Sequence, residues 1–332
     1  MIVDIHTHIL PEKFPAYAQR FGYGGFVSMD HHCAGCARMM VDNTFFREVE
    51  ANSWDPSVRI AQCDHHGVHK QVLSTVPVLF YYWAKAKDNL EIARFLNDHI
   101  ADVVRRYPAR FEGLGTVPLQ DPELAIAELE RFSSLGLRGV EIGSHVNDWN
   151  LDAPELFPFF EACARLNMAV FVHPWDMMAK EKMKKYWLPW LVGMPAESSL
   201  ALCSLIFGGV LERLPSLRVA IAHGGGSFPF TMGRIQHGFE VRPDLVAVDN
   251  PYPPKSYLGK FWVDSLVHDP VALQYLVDLF GANRVAIGSD YPFPLGELEP
   301  GKLVASMPWD VQTKKWVQSG AALEWLGIPV NP

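Results

Sequence analysis

Along the chain, a short run of apolar and β-branched residues ending in polar residues or glycine alternates with a stretch of helical period. The runs are Ile2–Ile9, Gln71–Pro77, Phe111–Leu119, Gly139–His145, Ala169–Asp176, Arg218–Gly226, Phe261–Val267 and Arg284–Pro292, eight in all. Amphipathic segments of helical length follow several of them, at Asp88–Arg106, Asp121–Leu135, Ala153–Leu166 and Asp269–Phe280. Two of these open with Asp followed by Pro, at Asp121-Pro122 and Asp269-Pro270. Such a pair caps a helix and starts its first turn. Strands that alternate with helices predict a parallel sheet covered by helices. Eight repeats favour an α/β fold closed as a TIM-like (β/α)₈ barrel, with residues 1–332 read as one domain.

Two stretches break the repeat. An insertion from about 11 to 69 follows the first run and is rich in Gly and aromatics. It is expected to hold a small excursion around Phe26–Met29 and Thr44–Val49, then a helix from Asp55. The second stretch, Met177–Glu197, follows the fifth run and carries Tyr186, Trp187 and Trp190. Loops that follow barrel strands build the active face, so both stretches are expected to enclose a substrate. Met177, Trp187 and Phe293 are candidate walls of that pocket, with core packing the alternative for each.

Composition narrows the functional classes. The chain has 29 Lys+Arg against 37 Asp+Glu, a formal charge of -8. No basic stripe is present, which argues against a nucleic-acid partner. Met1–Leu10 already contains Asp4, His6 and His8, unlike a signal peptide. The most apolar window, Leu200–Leu211, reads as too short for a membrane span. Five scattered cysteines do not make a disulfide framework, so a cytoplasmic, reducing setting is expected. Cys33 and Cys36 form a Cys-x-x-Cys just after His31-His32. With no second ligand pair following, it reads as a plain loop rather than a structural zinc site.

The chemistry lies at the ends of the runs. In His6-Thr7-His8, residues two apart on a strand face the same side, so both imidazoles point into the barrel. One such motif arises readily by chance. Its weight comes from His173 at the end of the fifth run and Asp290 at the end of the eighth, because all strand ends converge on one rim. Three imidazoles and a carboxylate suit one divalent metal, zinc among several. Asp4 lies deeper on the same face, either orienting a ligand or pairing inside the barrel. His223, ahead of Gly224-Gly225-Gly226, is a fifth ligand, a structural residue, or the favoured reading, a general acid/base beside the metal. The glycines allow close approach of a substrate or simply make a tight turn.

These residues match the amidohydrolase superfamily. Within it, the chain resembles the aminocarboxymuconate-semialdehyde decarboxylase family over nearly its whole length. The resemblance runs through D-I-H-T-H-I-L-P at the start, W-D-P-S-V-R-I at Trp54–Ile60 and S-T-V-P-V at Ser74–Val78. It continues in H-P-W-D-M-M at His173–Met178, Y-W-L-P-W-L-V-G-M-P-A-E at Tyr186–Glu197 and A-H-G-G-G-S-F-P-F at Ala222–Phe230. It closes with G-S-D-Y-P-F-P-L-G-E at Gly288–Glu297. Binuclear members carry a bridging Lys or Glu at the end of the fourth strand. Here that strand has no Lys and Glu141 lies early in it, so one metal is expected; His145 reads as a turn or supporting histidine.

The resemblance implies a non-oxidative decarboxylase of 2-amino-3-carboxymuconate 6-semialdehyde in tryptophan catabolism. It implies zinc and a water held by His6, His8, His173 and Asp290, with His223 as general base and proton donor. It implies that Arg47 binds a substrate carboxylate. Arg234 would lie about 10 Å into the helix after His223, too far along to face its own site. In the family such an Arg enters the neighbouring protomer's site, which implies a homodimer. Decarboxylation of an aromatic acid, metal-dependent hydrolysis, and a non-catalytic scaffold are the rival readings.

Overall fold

A computed structural model describes residues 1–330. Eight parallel strands form the central sheet: Val3–His8, Lys70–Ser74, Phe111–Gly115, Gly139–Gly143, Ala169–His173, Val219–Ile221, Trp262–Asp264 and Val285–Ala286. Each coincides with one of the eight expected runs, the second starting one residue earlier at Lys70, and neighbours in sequence are neighbours in the sheet. The ring closes where the Ile5 N–H donates to Ile287 O (2.8 Å) and the His8 N–H donates to Tyr291 O (2.7 Å). The fold is therefore the TIM-like (β/α)₈ barrel that the repeat predicts.

The sixth and eighth strands are shorter than the runs that contain them, for a local reason. His223 (φ 55°) and Asp290 (φ 56°) adopt left-handed backbone, which a ladder does not accommodate. The ladder ends at Ile221 ahead of His223 and is interrupted at Asp290, between Ile287 and Tyr291, which both pair with the first strand, and the two side chains stand at the barrel mouth. Val3, Ile5, Val72, Leu114, Phe171 and Ala286 are buried in the barrel interior cluster. A larger apolar layer, with Phe132, Phe159 and Phe160, lies between sheet and helices. Asp121 and Asp269 cap their helices by accepting from Leu124 N (3.1 Å) and Ala272 N (2.8 Å).

The insertion has more order than its sequence suggests. Val27–Cys33, Cys36–Val41 and Thr44–Glu50 form a three-stranded antiparallel sheet, and the Asp55-capped helix Pro56–His66 follows. The middle strand was not expected. Its Cys-Ala-Arg-Met-Met-Val sequence has no clean alternation, and it forms by pairing on both sides. The Cys-x-x-Cys is thus the turn of a β-hairpin, not a plain loop. This sheet packs Phe26, Val27 and Met39 with Leu10, Tyr81 and Phe293 over the barrel mouth.

The apolar stretch also departs from expectation. Helix runs without a break over Pro189–Phe207, long and apolar enough by length and composition to cross a membrane. Its Ala201, Leu202, Leu205 and Ile206 are buried in the layer between sheet and helices.

Candidate metal centre and its cavity

The first barrel strand carries His6 and His8 inward, two residues apart, and both rings are buried. Each is held by its Nδ1. His8 Nδ1 meets the Thr75 carbonyl at 2.7 Å, and His173 Nδ1 meets the Pro174 carbonyl at 2.8 Å. A carbonyl only accepts, so both Nδ1 atoms carry the proton and both Nε2 atoms are left with a lone pair. His6 Nδ1 lies 2.6 Å from Asp264 Oδ2. Asp264 also accepts from the N–H groups of His223 (2.9 Å), Gly224 (2.8 Å) and Leu266 (3.1 Å). With four donors on it, Asp264 is a carboxylate: burial pushes its pKa up, but the His6 bond and the neighbouring donors hold it below the usual range.

What remains is three buried Nε2 atoms, on His6, His8 and His173, without a hydrogen-bond partner. An orphaned buried acceptor is costly, and three in one place call for a common partner. The Asp290 carboxylate completes the group, with Oδ1 at 3.1 Å from His8 Nε2 and 3.6 Å from His6 Nε2. The donor atoms of all four residues lie within 4.8 Å of one another. Burial holds His8 and His173 below their ordinary pKa, His173 far below. Neutral imidazoles beside a carboxylate are what a divalent cation requires. The residues present therefore fit one divalent ion.

His223 stands beside this group rather than in it. Its Nε2 is 3.7 Å from Asp290 Oδ2, and its ring lies 5.1 Å from those of His6 and His173. Burial lowers its pKa, but the Asp290 and Asp264 carboxylates outweigh this and the net direction is upward. The three glycines after it serve the turn. A Cβ on Gly226 would lie 2.3 Å from Pro195 O, and one on Gly224 would lie 2.6 Å from Val267. Both close approaches are to protein, not to the cavity.

Asp4 does not touch the imidazoles. It accepts from Ser289 Oγ (2.5 Å), Ser289 N (3.1 Å) and His6 N (3.2 Å), tying the Asp290 loop to the first strand. Glu141 is buried at the middle of the fourth strand, 3.7 Å from His8 Nδ1. That is the side of the ring away from the converging Nε2 atoms, so Glu141 is outside the ligand group. Burial pushes its pKa well above the carboxylate range. His145 is a turn residue, bonded to Asn147 O (2.9 Å) and stacked on Trp175.

Above the four residues opens a cavity of about 820 Å³, with His8, His173 and Asp290 in its lining. Met177, Trp187 and Phe293, expected as walls, all line it. Met177 and Phe293 are buried, whereas Trp187 is 43% exposed and packs on Trp190. Arg47 reaches in from the third strand of the insertion sheet, its guanidinium 4.2 Å from the centre of the Phe293 ring. Burial lowers its pKa, and the Asp290 charge acts against that. A half-buried guanidinium without a protein carboxylate is a ready anion site. Arg234 is exposed on the helix Phe228–Val241 and takes no part in this cavity.

Three residues of this centre were not singled out from the sequence. Asp264 has as its only signal a polar residue ending the seventh strand. Glu197 is buried and accepts from Met178 N (2.7 Å) and Ser144 Oγ (3.3 Å), holding the Met177 loop. Arg59 is fully buried and donates to the His8 carbonyl and to Gln71 Oε1 (3.2 Å), so the insertion helix braces the strand that carries the ligands.

The amidohydrolase family profile matches residues 3–328. The chain is 58% identical over 331 residues to the 2-amino-3-carboxymuconate-6-semialdehyde decarboxylase of Dictyostelium discoideum, covering 99% of this chain and 92% of that protein. It is 40% identical to the protein of the same name from Caenorhabditis elegans, over 99% and 95% of the two chains. Among solved structures, 5-carboxyvanillate decarboxylase from Sphingomonas paucimobilis superposes with a TM-score of 0.80 at 23% identity, over 99% of each chain. A dihydroxybenzoic acid decarboxylase from Polaromonas with bound manganese and 2-nitroresorcinol superposes with a TM-score of 0.76 at 20% identity, over 98% of this chain and 96% of that one.

Proposed function

The chain belongs to the amidohydrolase family, and on that footing we propose that it decarboxylates 2-amino-3-carboxymuconate 6-semialdehyde to 2-aminomuconate 6-semialdehyde and CO₂. It is a decarboxylase of that superfamily, as its full-length relatives are. The observation that carries the substrate reading is the pairing of Arg47, without a carboxylate partner among the described residues, with His8, His173 and Asp290 of the metal-competent group in one aromatic-walled cavity.

When bound, a divalent ion in that group supplies Lewis-acid polarisation of an oxygen. Zinc is the ion proposed here, since three imidazole nitrogens and one carboxylate oxygen are its common ligands. The rest is the work of side chains. Arg47 holds a substrate carboxylate by paired N–H···O bonds and sets the conjugated chain against the Phe293 ring. Trp187 and Met177 exclude water from one side. His223, beside Asp290, takes a proton from water at Nε2 and delivers it to the carbon that loses CO₂, where it bonds to the electron pair left by the departing carboxylate. We assign Arg234, exposed and outside its own cavity, to the cavity of a second copy in a homodimer. Cytoplasmic placement accords with this reading.

The test is direct. Metal-replete protein incubated with the semialdehyde should release one CO₂ per substrate consumed, while 2,6-dihydroxybenzoate and simple lactones should not turn over. Absence of CO₂ from the semialdehyde with release from the aromatic acid would overturn the substrate assignment in favour of an aromatic-acid decarboxylase. Elemental analysis of the same sample identifies the ion.

A further inference from the structure

The hairpin turn of the insertion brings three metal-competent side chains to one point, His32, Cys33 and Cys36, with Glu48 beside His32. The antiparallel register changes between Asp30 and Cys33, a bulge that leaves Cys33 opposite Cys36. The extra residue lets both His32 and Cys33 meet Cys36. His32 Nε2 lies 3.4 Å from Cys36 Sγ, and the donor atoms of His32, Cys33 and Cys36 all lie within 4.8 Å of one another. Glu48, on the third strand, puts Oε1 3.5 Å from His32 Nε2. The sequence lacks a second ligand pair after Cys-x-x-Cys. The folded sheet supplies one, from the preceding His and from a residue twelve positions on.

These separations have a simple reference. A tetrahedral zinc ion with bonds of about 2.3 Å to sulfur and about 2.0–2.1 Å to nitrogen or oxygen keeps its N and S ligands about 3.6 Å apart, and its N and O ligands about 3.3 Å apart. The observed 3.4 and 3.5 Å are within 0.2 Å of those values. In the structure Cys33 and Cys36 are joined as a disulfide, the oxidised state of the same pair. A disulfide has no use for His32 and Glu48, whereas a soft divalent ion uses all four.

We propose that, with Cys33 and Cys36 reduced, the turn holds a second divalent metal of the zinc type through His32, Cys33, Cys36 and Glu48. A thiol reductant supplies two electrons and two protons to open the disulfide and is itself oxidised to a disulfide. Binding of the ion then releases the two thiol protons and leaves two thiolates as ligands. A disulfide oxidant that takes two electrons from the two thiolates, and is itself reduced to thiols, re-forms the Cys33–Cys36 bond and releases the ion. Because Glu48 neighbours Arg47, the occupied site also fixes the strand that carries the cavity's guanidinium.

The experiment compares full-length protein, reduced with a thiol reductant and then freed of it, with Cys33→Ser/Cys36→Ser and His32→Ala variants. Thiol titration first counts the free cysteines. Zinc is then measured per chain, and Co²⁺ is substituted to look for thiolate-to-cobalt charge-transfer absorption. Two zinc per chain in the parent, one in the double serine variant, a cobalt–thiolate band lost with it, and at least tenfold weaker zinc binding in His32→Ala are expected. Equal metal content in parent and double variant, no thiolate band, or a disulfide that the reductant does not open would each overturn the proposal. The thiolate band reports the hairpin alone, since the barrel group has no sulfur. A barrel without metal, or without decarboxylase activity, therefore leaves the outcome readable.

Discussion

Asp264 accepts a 2.6 Å hydrogen bond from His6 Nδ1, and the same carboxylate accepts the backbone N–H groups of His223 and Gly224. One side chain thus orients a metal-competent imidazole and fixes the turn that presents the proposed acid/base. Asp264→Asn leaves one oxygen to meet four donors and places an NH₂ against some of them. Loss of such an orienting partner costs about 10–100-fold in metal affinity. Chelator competition on Asp264→Asn should show a loss of that size, with a smaller change in thermal midpoint than removal of His6 itself. Unchanged affinity would mean that His6 is held by packing alone.

His223 is beside the ligand group and not of it, so its removal separates chemistry from binding. His223→Ala should keep its barrel metal and its far-ultraviolet circular dichroism. Its turnover should fall by about 10²–10⁴, the usual worth of a general acid/base. Loss of the metal together with turnover would make His223 a ligand.

Arg47 meets no carboxylate among the described residues, which leaves its guanidinium open to substrate. A charge-assisted hydrogen-bonding partner is worth roughly 1.5–3 kcal/mol, which is about 10–100-fold in kcat/KM. Arg47→Ala should lose that much, mainly through KM. Arg47→Lys should recover only part of it, because an ammonium lacks the planar pair of donors. A full recovery by Lys would show that the charge matters and the fork does not.

His99 links stability to pH without touching the metal group. Burial, with Arg106 adding to it, pushes its pKa down to about 4. Its unfolded value is about 6.5, so the unfolded chain binds the proton first and stability falls as pH drops through that window. Between pH 7 and pH 5 this amounts to about 2 kcal/mol. Denaturant midpoints for the parent and His99→Gln at the two pH values should diverge by that amount, the variant being the less sensitive. Parallel curves would place the acid sensitivity elsewhere.

The order of strands and helices was legible in the sequence because each element carries its own period and its own caps. Asp121-Pro122 starts a helix wherever it stands, and Val3–His8 alternates whatever it pairs with. His6, His8, His173 and Asp290 could be read for the same reason: each sits at a strand end, and a parallel barrel gathers all strand ends on one rim. Arg234's absence from its own cavity followed from helix rise alone. The roles of Asp264, Glu197 and Arg59 did not, because each acts on a residue distant in sequence through a buried hydrogen bond that has no local signature. Glu141 and Asp264 are both single acids within strands. Only the side of an imidazole that each one faces separates them, and that is a matter of register and rotation around the barrel. The Cys33–Cys36 turn is the sharpest case. Its own sequence shows two cysteines, and only the bulge and the third strand set His32 against Cys36 and Glu48 against His32.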